Sequence, residues 1–407
     1  MNPDRLFRAS CIALVVTAMS FAIRGAAAES WAADFHLTNE QVGWINGTAF
    51  WGFTLAMIFG GPLCDVLGLG RILVIAFFGH AAGILLTVFA RSFWGLYAGT
   101  LLFGLANGSV ESACNPLIAT LYPTDKTTKL NHFHVWFPGG VVIGGLVSFA
   151  LTRVGLGWKI QFATMLIPLG IYGMMFRECQ FPQTERVQQG VSVGAMFRAC
   201  LRPSFLGMVA CMLMTAATEL GPGQWIPTIL GNAGVSGILV LVWITGLMAV
   251  GRQFAGVFVH RLSPLGMLLM SAVFSALGLF AMSHANGVML FVAATVFAVG
   301  VCFFWPTMLG FVSEQFPTTG ALGLAIMGGA GMLSVSIVLP LMGRIFDQGI
   351  VSRLGAGVPS TSAPIAVQAA AGLETLGRVS LLPTVLAVIF LILLVVQRLK
   401  IPVSEPT

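Results

Sequence analysis

The sequence predicts an all-α integral membrane protein with twelve transmembrane helices in two pseudo-symmetric six-helix bundles. Hydrophobic residues make up 57% of the 407 residues and charged residues only 8%, whereas soluble proteins carry about 25% charged residues. A helix needs about 20 apolar residues to cross the hydrocarbon core of a membrane. Twelve runs of roughly that length can be read between polar or Pro/Gly breaks, and the two halves of the chain resemble each other weakly.

The twelve spans fall into two sets of six around one long polar stretch. The first six lie near 9–30, 41–63, 71–90, 94–121, 131–152 and 160–176. The second six lie near 204–228, 237–258, 265–283, 287–312, 319–342 and 381–397. We therefore expect an N-terminal bundle over 1–176, a cytoplasmic linker over 177–203 and a C-terminal bundle over 204–407.

The first span has an alternative interpretation, because the small residues before Glu29 could form the cleavage site of a signal peptide. Cleavage would leave eleven spans, and Arg24 is unusual within a disposable signal, so a first membrane helix is favoured. With the N-terminus inside, most Lys and Arg residues outside the spans fall on the cytoplasmic side. The positive-inside rule then predicts an inner-membrane protein with both termini in the cytoplasm.

The two halves repeat a short pattern at equivalent places. Tyr122-Pro123-Thr124 ends the fourth span and Phe316-Pro317-Thr318 ends the tenth, and a Gly-rich helix follows each. Internal symmetry of this kind is typical of duplicated membrane transporters, which bind their solute near the midplane.

A charged turn joins the second and third spans and reads Gly61-Pro-Leu-Cys-Asp65-Val-Leu-Gly68-Leu-Gly-Arg71. The glycines allow a tight reversal, and Asp65 can keep its charge at a membrane face. This pattern resembles the signature loop between the second and third helices of the major facilitator superfamily. The resemblance implies that Gly61, Asp65, Gly68 and Arg71 act in conformational gating and that Asp65 faces the other half of the protein. We also expect Asp65 to face Arg71.

Four charged residues, Arg24, Glu111, Glu219 and Arg252, lie well inside predicted spans, where an unpaired charge costs several kcal/mol. Arg24 and Glu219 lie at similar depth in the first and seventh spans, so they could form a salt bridge or share an aqueous cavity, and both are assigned to proton coupling. A static ion pair that joins the halves is the alternative. Arg252 lies in the eighth span and is assigned to gating.

The fourth span carries a polar stripe, since Asn107, Glu111 and Asn115 recur every four residues on one helical face. Such a stripe is seldom exposed to lipid, because its donors and acceptors would lack partners. His134 on the fifth span lies at similar depth to Glu111. The two could form a proton relay, or His134 could simply cap or tether a helix end.

The stretch Glu111-Ser-Ala-Cys-Asn115-Pro116 resembles the Glu-x-x-x-Asn-Pro pattern of the fucose/galactose/glucose:proton symporter branch, and Leu130-Asn131 resembles the start of its fifth helix. The resemblance implies a role for Glu111 in proton coupling and sugar binding. Thr218-Glu219 is similar to the seventh-helix pattern of that branch. The first helix departs from the branch, because the acidic residue of the branch's first helix has no evident match and this helix carries Arg24.

Aromatic and amide side chains within the spans suit a neutral polar solute, because rings contact the C–H face of a sugar and amides bond hydroxyls. Each tryptophan alone could equally serve packing or the interface. The candidate solute-binding residues are Asn107, Asn115, Trp136, Gln224, Trp225 and Trp305.

These features predict a secondary active transporter that moves a small neutral polar solute by alternating access, coupled to protons or sodium. A drug or metabolite exporter and a non-transporting membrane sensor are the alternatives. No His-Glu-x-x-His or Walker pattern occurs, so an enzyme is not expected. We expect no cofactor, no metal and no nucleic-acid partner, and a monomer in the bilayer.

Overall fold

The computed structural model describes residues 2–37, 39–232, 237–355 and 363–400. Within these ranges the regular structure is helical and contains no strand. The α-helices are α1 Pro3–Asp34, α2 Asn39–Leu67, α3 Leu69–Val88, α4 Phe93–Leu121, α5 Lys126–His134, α6 Trp136–Arg153, α7 Trp158–Thr164, α8 Leu166–Phe176, α9 Glu185–Gln188, α10 Val193–Cys200, α11 Pro203–Asn232, α12 Gly237–Gln253, α13 Ala255–Met282, α14 Met289–Val301, α15 Phe304–Gln315, α16 Gly320–Leu354, α17 Ile365–Val379 and α18 Leu381–Lys400.

The helices account for all twelve predicted spans. Ten segments of the described chain are long and apolar enough to cross a membrane. The two remaining spans are α4, whose 29 residues include the polar stripe that lowers its hydropathy, and α12, which begins beside residues outside the described ranges. The turn between the eighth and ninth predicted spans lies inside α13, where Ser263 adopts a φ of 63° directly before Pro264.

In three spans the helix is interrupted shortly before a proline, and the proline explains the interruption. α5 and α6 meet at Val135, α7 and α8 meet at Met165, and α14 and α15 meet at 302–303. Pro138, Pro168 and Pro306 follow these breaks within one turn. Proline lacks the N–H that would bond the carbonyl four residues earlier, so the helix is interrupted there.

The stretch after the eleventh predicted span, residues 343–380, is mostly helical. α16 continues to Leu354, and α17 packs against it. Phe346, Ile350 and Ala371 form an apolar cluster between these two helices. The close approach depends on Gly349, where an added Cβ would lie 2.9 Å from the Ala371 Cβ.

The chain forms two compact units. Unit 1 comprises Met1–Leu213 and Val312–Ser336, and unit 2 comprises Met214–Phe311 and Ile337–Thr407. In unit 1, α1 packs on α6 and α8, and α4 packs on α2 and α3. In unit 2, α13 packs on α14 and α18. The predicted division into bundles 1–176 and 204–407 with a linker between them stays a prediction.

Candidate functional site

Arg24 is a buried cation on α1 of unit 1. Its relative exposure is 8%, and its guanidinium carbon lies 5.1 Å from the centre of the Phe21 ring. Among the side chains that the structure describes, no carboxylate oxygen lies within 4.0 Å of its nitrogens. A buried charge without a counter-ion is expensive. The position therefore suits a residue that receives its counter-ion from a ligand.

Phe21, the aromatic residue beside Arg24, contacts two further phenylalanines. The Phe21 ring centre lies 5.7 Å from that of Phe50 on α2 and 5.7 Å from that of Phe137 on α6. All three residues are only half-buried. We call Arg24 with Phe21, Phe50 and Phe137 the Arg24 site. It combines one cation with aromatic surface from three helices.

A chain of hydrogen bonds crosses unit 1 and ends one turn from Arg24. Tyr172 lies 3.0 Å from Nδ1 of His80, whose Nε2 lies 2.9 Å from Oδ1 of Asn107. The Asn107 amide in turn donates to the Ser20 hydroxyl at 3.1 Å. A neutral His80 that is protonated on Nε2 satisfies both of its contacts. Of these four buried residues, only Asn107 was predicted as a site residue.

The polar stripe of α4 is buried, and it joins Glu111 to His134. Nδ2 of Asn115 donates to Oε2 of Glu111 at 3.3 Å, while Oδ1 of Asn115 lies 3.1 Å from Nε2 of His134. Asn115 therefore bridges the carboxylate and the imidazole. The roles of these residues in proton coupling and solute binding stay predictions.

Glu219 pairs with Arg252 in unit 2. Nη2 of Arg252 lies 2.7 Å from Oε1 of Glu219, and both side chains are almost fully buried. The second carboxylate oxygen accepts the backbone N–H of Trp305 at 3.2 Å. In the structure, Glu219 thus forms its ion pair with Arg252. From the sequence, Arg24 was the expected partner.

The predicted aromatic and amide residues occupy different environments. Trp136 is 42% exposed, and Gln224 is also exposed. The centre of the Trp225 ring lies 5.7 Å from that of Phe346, and the side chain packs against the apolar cluster between α16 and α17. Trp305 is 5% exposed, and its indole Nε1 has no hydrogen-bond partner among the described residues.

Asp65 contacts the linker, not Arg71. The carboxylate accepts the Thr184 hydroxyl at 2.5 Å and Nε of Arg186 at 2.7 Å, and the Asp65 side chain is 1% exposed. Arg71 is exposed. The expectation that Asp65 faces Arg71 is therefore wrong. The error arose because adjacency along a loop does not determine which long side chain can reach a buried carboxylate.

The glycines of the same loop have separate structural reasons. Gly68 adopts a φ of 88°, a conformation that favours glycine, and it precedes α3. A methyl group at Gly61 would lie 3.1 Å from the Ala321 carbonyl oxygen and 2.5 Å from the Ala325 Cβ. Gly61 therefore allows α2 to approach the first turns of α16 within unit 1.

Other polar contacts hold the linker in unit 1. Lys126 binds Glu185 at 2.7 Å and donates to the Ser313 carbonyl at 3.3 Å. The Thr127 hydroxyl donates to Glu314 at 2.6 Å. None of these residues was predicted as a site residue, although the charges of the linker were visible in the sequence.

The described residues contain no group of three or more His, Cys, Asp or Glu side chains arranged to hold a metal ion.

A helical membrane protein with interrupted spans and buried charges has the features of a solute transporter. Residues 10–339 match the family model of the Major Facilitator Superfamily. The chain belongs to this superfamily, and the fold predicted from the sequence is confirmed. It is an integral membrane protein of a transporter family.

Several transporters of organic acids are similar to the chain. The gallate transporter of Pseudomonas putida is 24% identical, over 86% of this chain and 87% of the relative. The 3-(3-hydroxy-phenyl)propionate transporter of Escherichia coli is 25% identical, over 84% and 85%. The gentisate transporter of Corynebacterium glutamicum is 24% identical over 52% of this chain, and the match spans only half (50%) of that relative's length.

Solved structures of sugar symporters share the fold. The proton:xylose symporter XylE superposes with a TM-score of 0.76 and 14% identity, covering 96% of this chain and 95% of that one. The Escherichia coli fucose:proton symporter FucP gives a TM-score of 0.71 and 14% identity, covering 93% and 98%. At this level of identity the similarity concerns the fold alone.

Proposed function

We propose that the protein is a proton-coupled secondary transporter that carries a small aromatic carboxylate across the cytoplasmic membrane by alternating access. The observation that carries this proposal is the Arg24 site. Its guanidinium is buried, has no carboxylate partner among the described side chains, and lies beside Phe21, whose ring contacts Phe50 and Phe137.

The chemistry of the Arg24 site matches the two ends of such a solute. A guanidinium binds a carboxylate through two parallel charge-assisted hydrogen bonds, which fix its orientation. The solute's negative charge offsets the cost of the buried cation. Phe21, Phe50 and Phe137 offer edges and faces to an aromatic ring, and such contacts contribute about 0.5–1.5 kcal/mol per pair beyond area burial.

The names of three relatives support the same solute class. Gallate, gentisate and 3-(3-hydroxy-phenyl)propionate are all aromatic carboxylates. Each name describes what that relative carries, and the proposal applies the shared chemistry to the Arg24 site of this chain.

Proton coupling is proposed for the chain of Glu111, Asn115 and His134. An anion that enters a cell with a negative interior moves against the membrane potential, at a cost of about 2.3 kcal/mol per charge at 100 mV. Symport of protons offsets that cost. Glu111 is a buried carboxylate joined through Asn115 to an imidazole, so a proton taken up by one group has a neighbouring acceptor. We propose uptake, with both termini in the cytoplasm.

A neutral sugar-like solute is the second candidate. The chain from Tyr172 to Ser20 favours it, because amide, imidazole and hydroxyl groups suit solute hydroxyls. We rank it second because each of these groups already has a partner inside unit 1, whereas Arg24 has no carboxylate partner in the described structure.

Uptake into proteoliposomes with an imposed proton gradient separates the two candidates. We expect accumulation of a labelled aromatic acid such as 3-hydroxybenzoate, abolition by a protonophore, and no accumulation of xylose or fucose. The Arg24→Gln variant should lose uptake, while Arg344→Gln, which removes an exposed arginine of α16, should keep it. Accumulation of a neutral sugar that survives Arg24→Gln would favour the second candidate instead.

A further inference from the structure

A cavity of about 580 Å³ lies in unit 2 where α13 ends and α18 begins. Arg353, Arg378 and His284 line it together with the apolar side chains of Phe280 and Leu381. The ninth and twelfth predicted spans end and begin at these positions, so the cavity is expected at a membrane face. No transport role assigned above uses it.

The polar wall of the cavity has an excess of positive charge. Glu374 accepts Nη1 of Arg353 at 3.0 Å and Nη2 of Arg378 at 2.7 Å, so one carboxylate faces two guanidiniums. Arg353 also donates to the Gly349 carbonyl. The other guanidinium nitrogens donate to no described residue, and the two side chains are 35% and 53% exposed. The cavity can therefore bind a further anion.

The apolar wall continues along the outer faces of two packed membrane helices. On α13, Phe280 is 58% exposed and Leu277 is 55% exposed. On α18, Leu381 is 64%, Val385 49% and Val388 54% exposed. Large apolar side chains that point outward from membrane spans contact lipid tails. The basic cavity thus lies at one end of the apolar, lipid-facing surfaces of α13 and α18.

We propose that this cavity binds an anionic phospholipid, with its phosphate on Arg353 and Arg378 and its acyl chains along α13 and α18. Guanidinium groups bind phosphate oxygens through charge-assisted hydrogen bonds, which suits an anionic headgroup. A free inorganic anion would use the arginines alone, whereas a phospholipid uses both walls. The residues belong to unit 2 and the Arg24 site to unit 1, so this proposal is independent of the transported solute.

Native mass spectrometry of the purified full chain can test the proposal, with phosphatidylglycerol and phosphatidylcholine added in turn. We expect one phosphatidylglycerol to remain bound preferentially. The double variant Arg353→Gln/Arg378→Gln should weaken that binding by about thirtyfold, because each basic side chain contributes about fivefold. Arg344→Gln is the matched control, since it removes an exposed arginine of the same helix as Arg353 outside the cavity.

Two further measurements keep the test decisive. Glu374→Gln removes the competing carboxylate and should preserve or strengthen phosphatidylglycerol binding, even if it loosens the arginines. Inorganic phosphate at millimolar concentration should not displace the lipid. Equal retention of the two lipids, unchanged binding in the double variant, or displacement by phosphate alone would each overturn the proposal.

Discussion

Glu219 and Arg252 form hydrogen bonds to the two backbone groups that lose their helical partners at the break before Pro306. In an unbroken helix, residue 306 would donate its N–H to the Cys302 carbonyl, but proline has none. Nε of Arg252 donates to that carbonyl at 2.6 Å, and Glu219 accepts the free N–H of Trp305 at the start of α15. A carboxylate at a helix N-terminus is also favoured by the helix dipole. The ion pair therefore holds both sides of the break.

This arrangement predicts strong coupling between the two side chains. Glu219→Gln and Arg252→Gln should each destabilise the protein by about 3–5 kcal/mol, because each leaves an uncompensated buried charge. The double variant should cost less than the sum of the two. Thermal unfolding of all four proteins in one detergent measures the cycle, and additive losses would show that the pair does not act as a unit.

The loss of stability caused by Arg252→Gln should depend on Pro306. Pro306→Ala restores an N–H that can bond the Cys302 carbonyl, so α14 and α15 can join into one helix. Arg252→Gln should then cost about 1 kcal/mol less in this background than in the wild type, the usual net contribution of one hydrogen bond. An identical cost in both backgrounds would mean that Arg252 acts through Glu219 alone.

Asp65 should act on the rate of transport and not on solute affinity, because its contacts are to the linker. Asp65→Asn weakens the bonds to Thr184 and Arg186, and charge-assisted hydrogen bonds contribute about 1.5–3 kcal/mol each. We expect the initial rate of uptake to fall about tenfold or more while equilibrium binding of the solute stays unchanged. Arg186→Gln should have the same effect. Arg198→Gln, at an exposed position of the linker, is the control. A loss of solute binding in Asp65→Asn would contradict this role.

Glu111 should carry the coupling proton. Glu111→Gln imitates the protonated carboxyl permanently, so uphill accumulation driven by a pH gradient should fall to background. Counterflow exchange needs no net proton movement and should persist. Both assays are run on the same reconstituted sample. Reduced folding yield with normal accumulation in the surviving protein would indicate that Glu111 only joins α4 to His134.

Patterns local in sequence predicted the spans and the buried stripe of α4. Twelve apolar runs correspond to membrane helices because crossing a bilayer imposes a length and an apolar composition on each. The four-residue spacing of Asn107, Glu111 and Asn115 placed all three on one buried face, and similar depth suggested that Glu111 and His134 could meet.

Partners distant in sequence were not predictable in the same way. Asp65 bonds Arg186, which lies 121 residues away, and a long side chain on a polar linker can reach many places. Glu219 and Arg252 lie on successive membrane helices, but depth alone allowed Arg24 as well. His80 is an isolated polar residue within an apolar span, without the periodic neighbours that revealed the stripe of α4.

Binding of the solute's carboxylate by Arg24 is tested most directly with two ligands that share a ring and a hydroxyl group. One ligand carries a carboxylate and the other a neutral amide. We would measure the affinity of the purified protein for 3-hydroxybenzoate and 3-hydroxybenzamide by calorimetry, in the wild type, Arg24→Lys and Arg24→Gln. The wild type should prefer the acid by about tenfold to a hundredfold, as expected for charge-assisted hydrogen bonds of about 1.5–3 kcal/mol. Arg24→Lys should keep part of that preference and Arg24→Gln none. Equal affinity for acid and amide in the wild type, or a preference for the acid that survives Arg24→Gln, would contradict the claim.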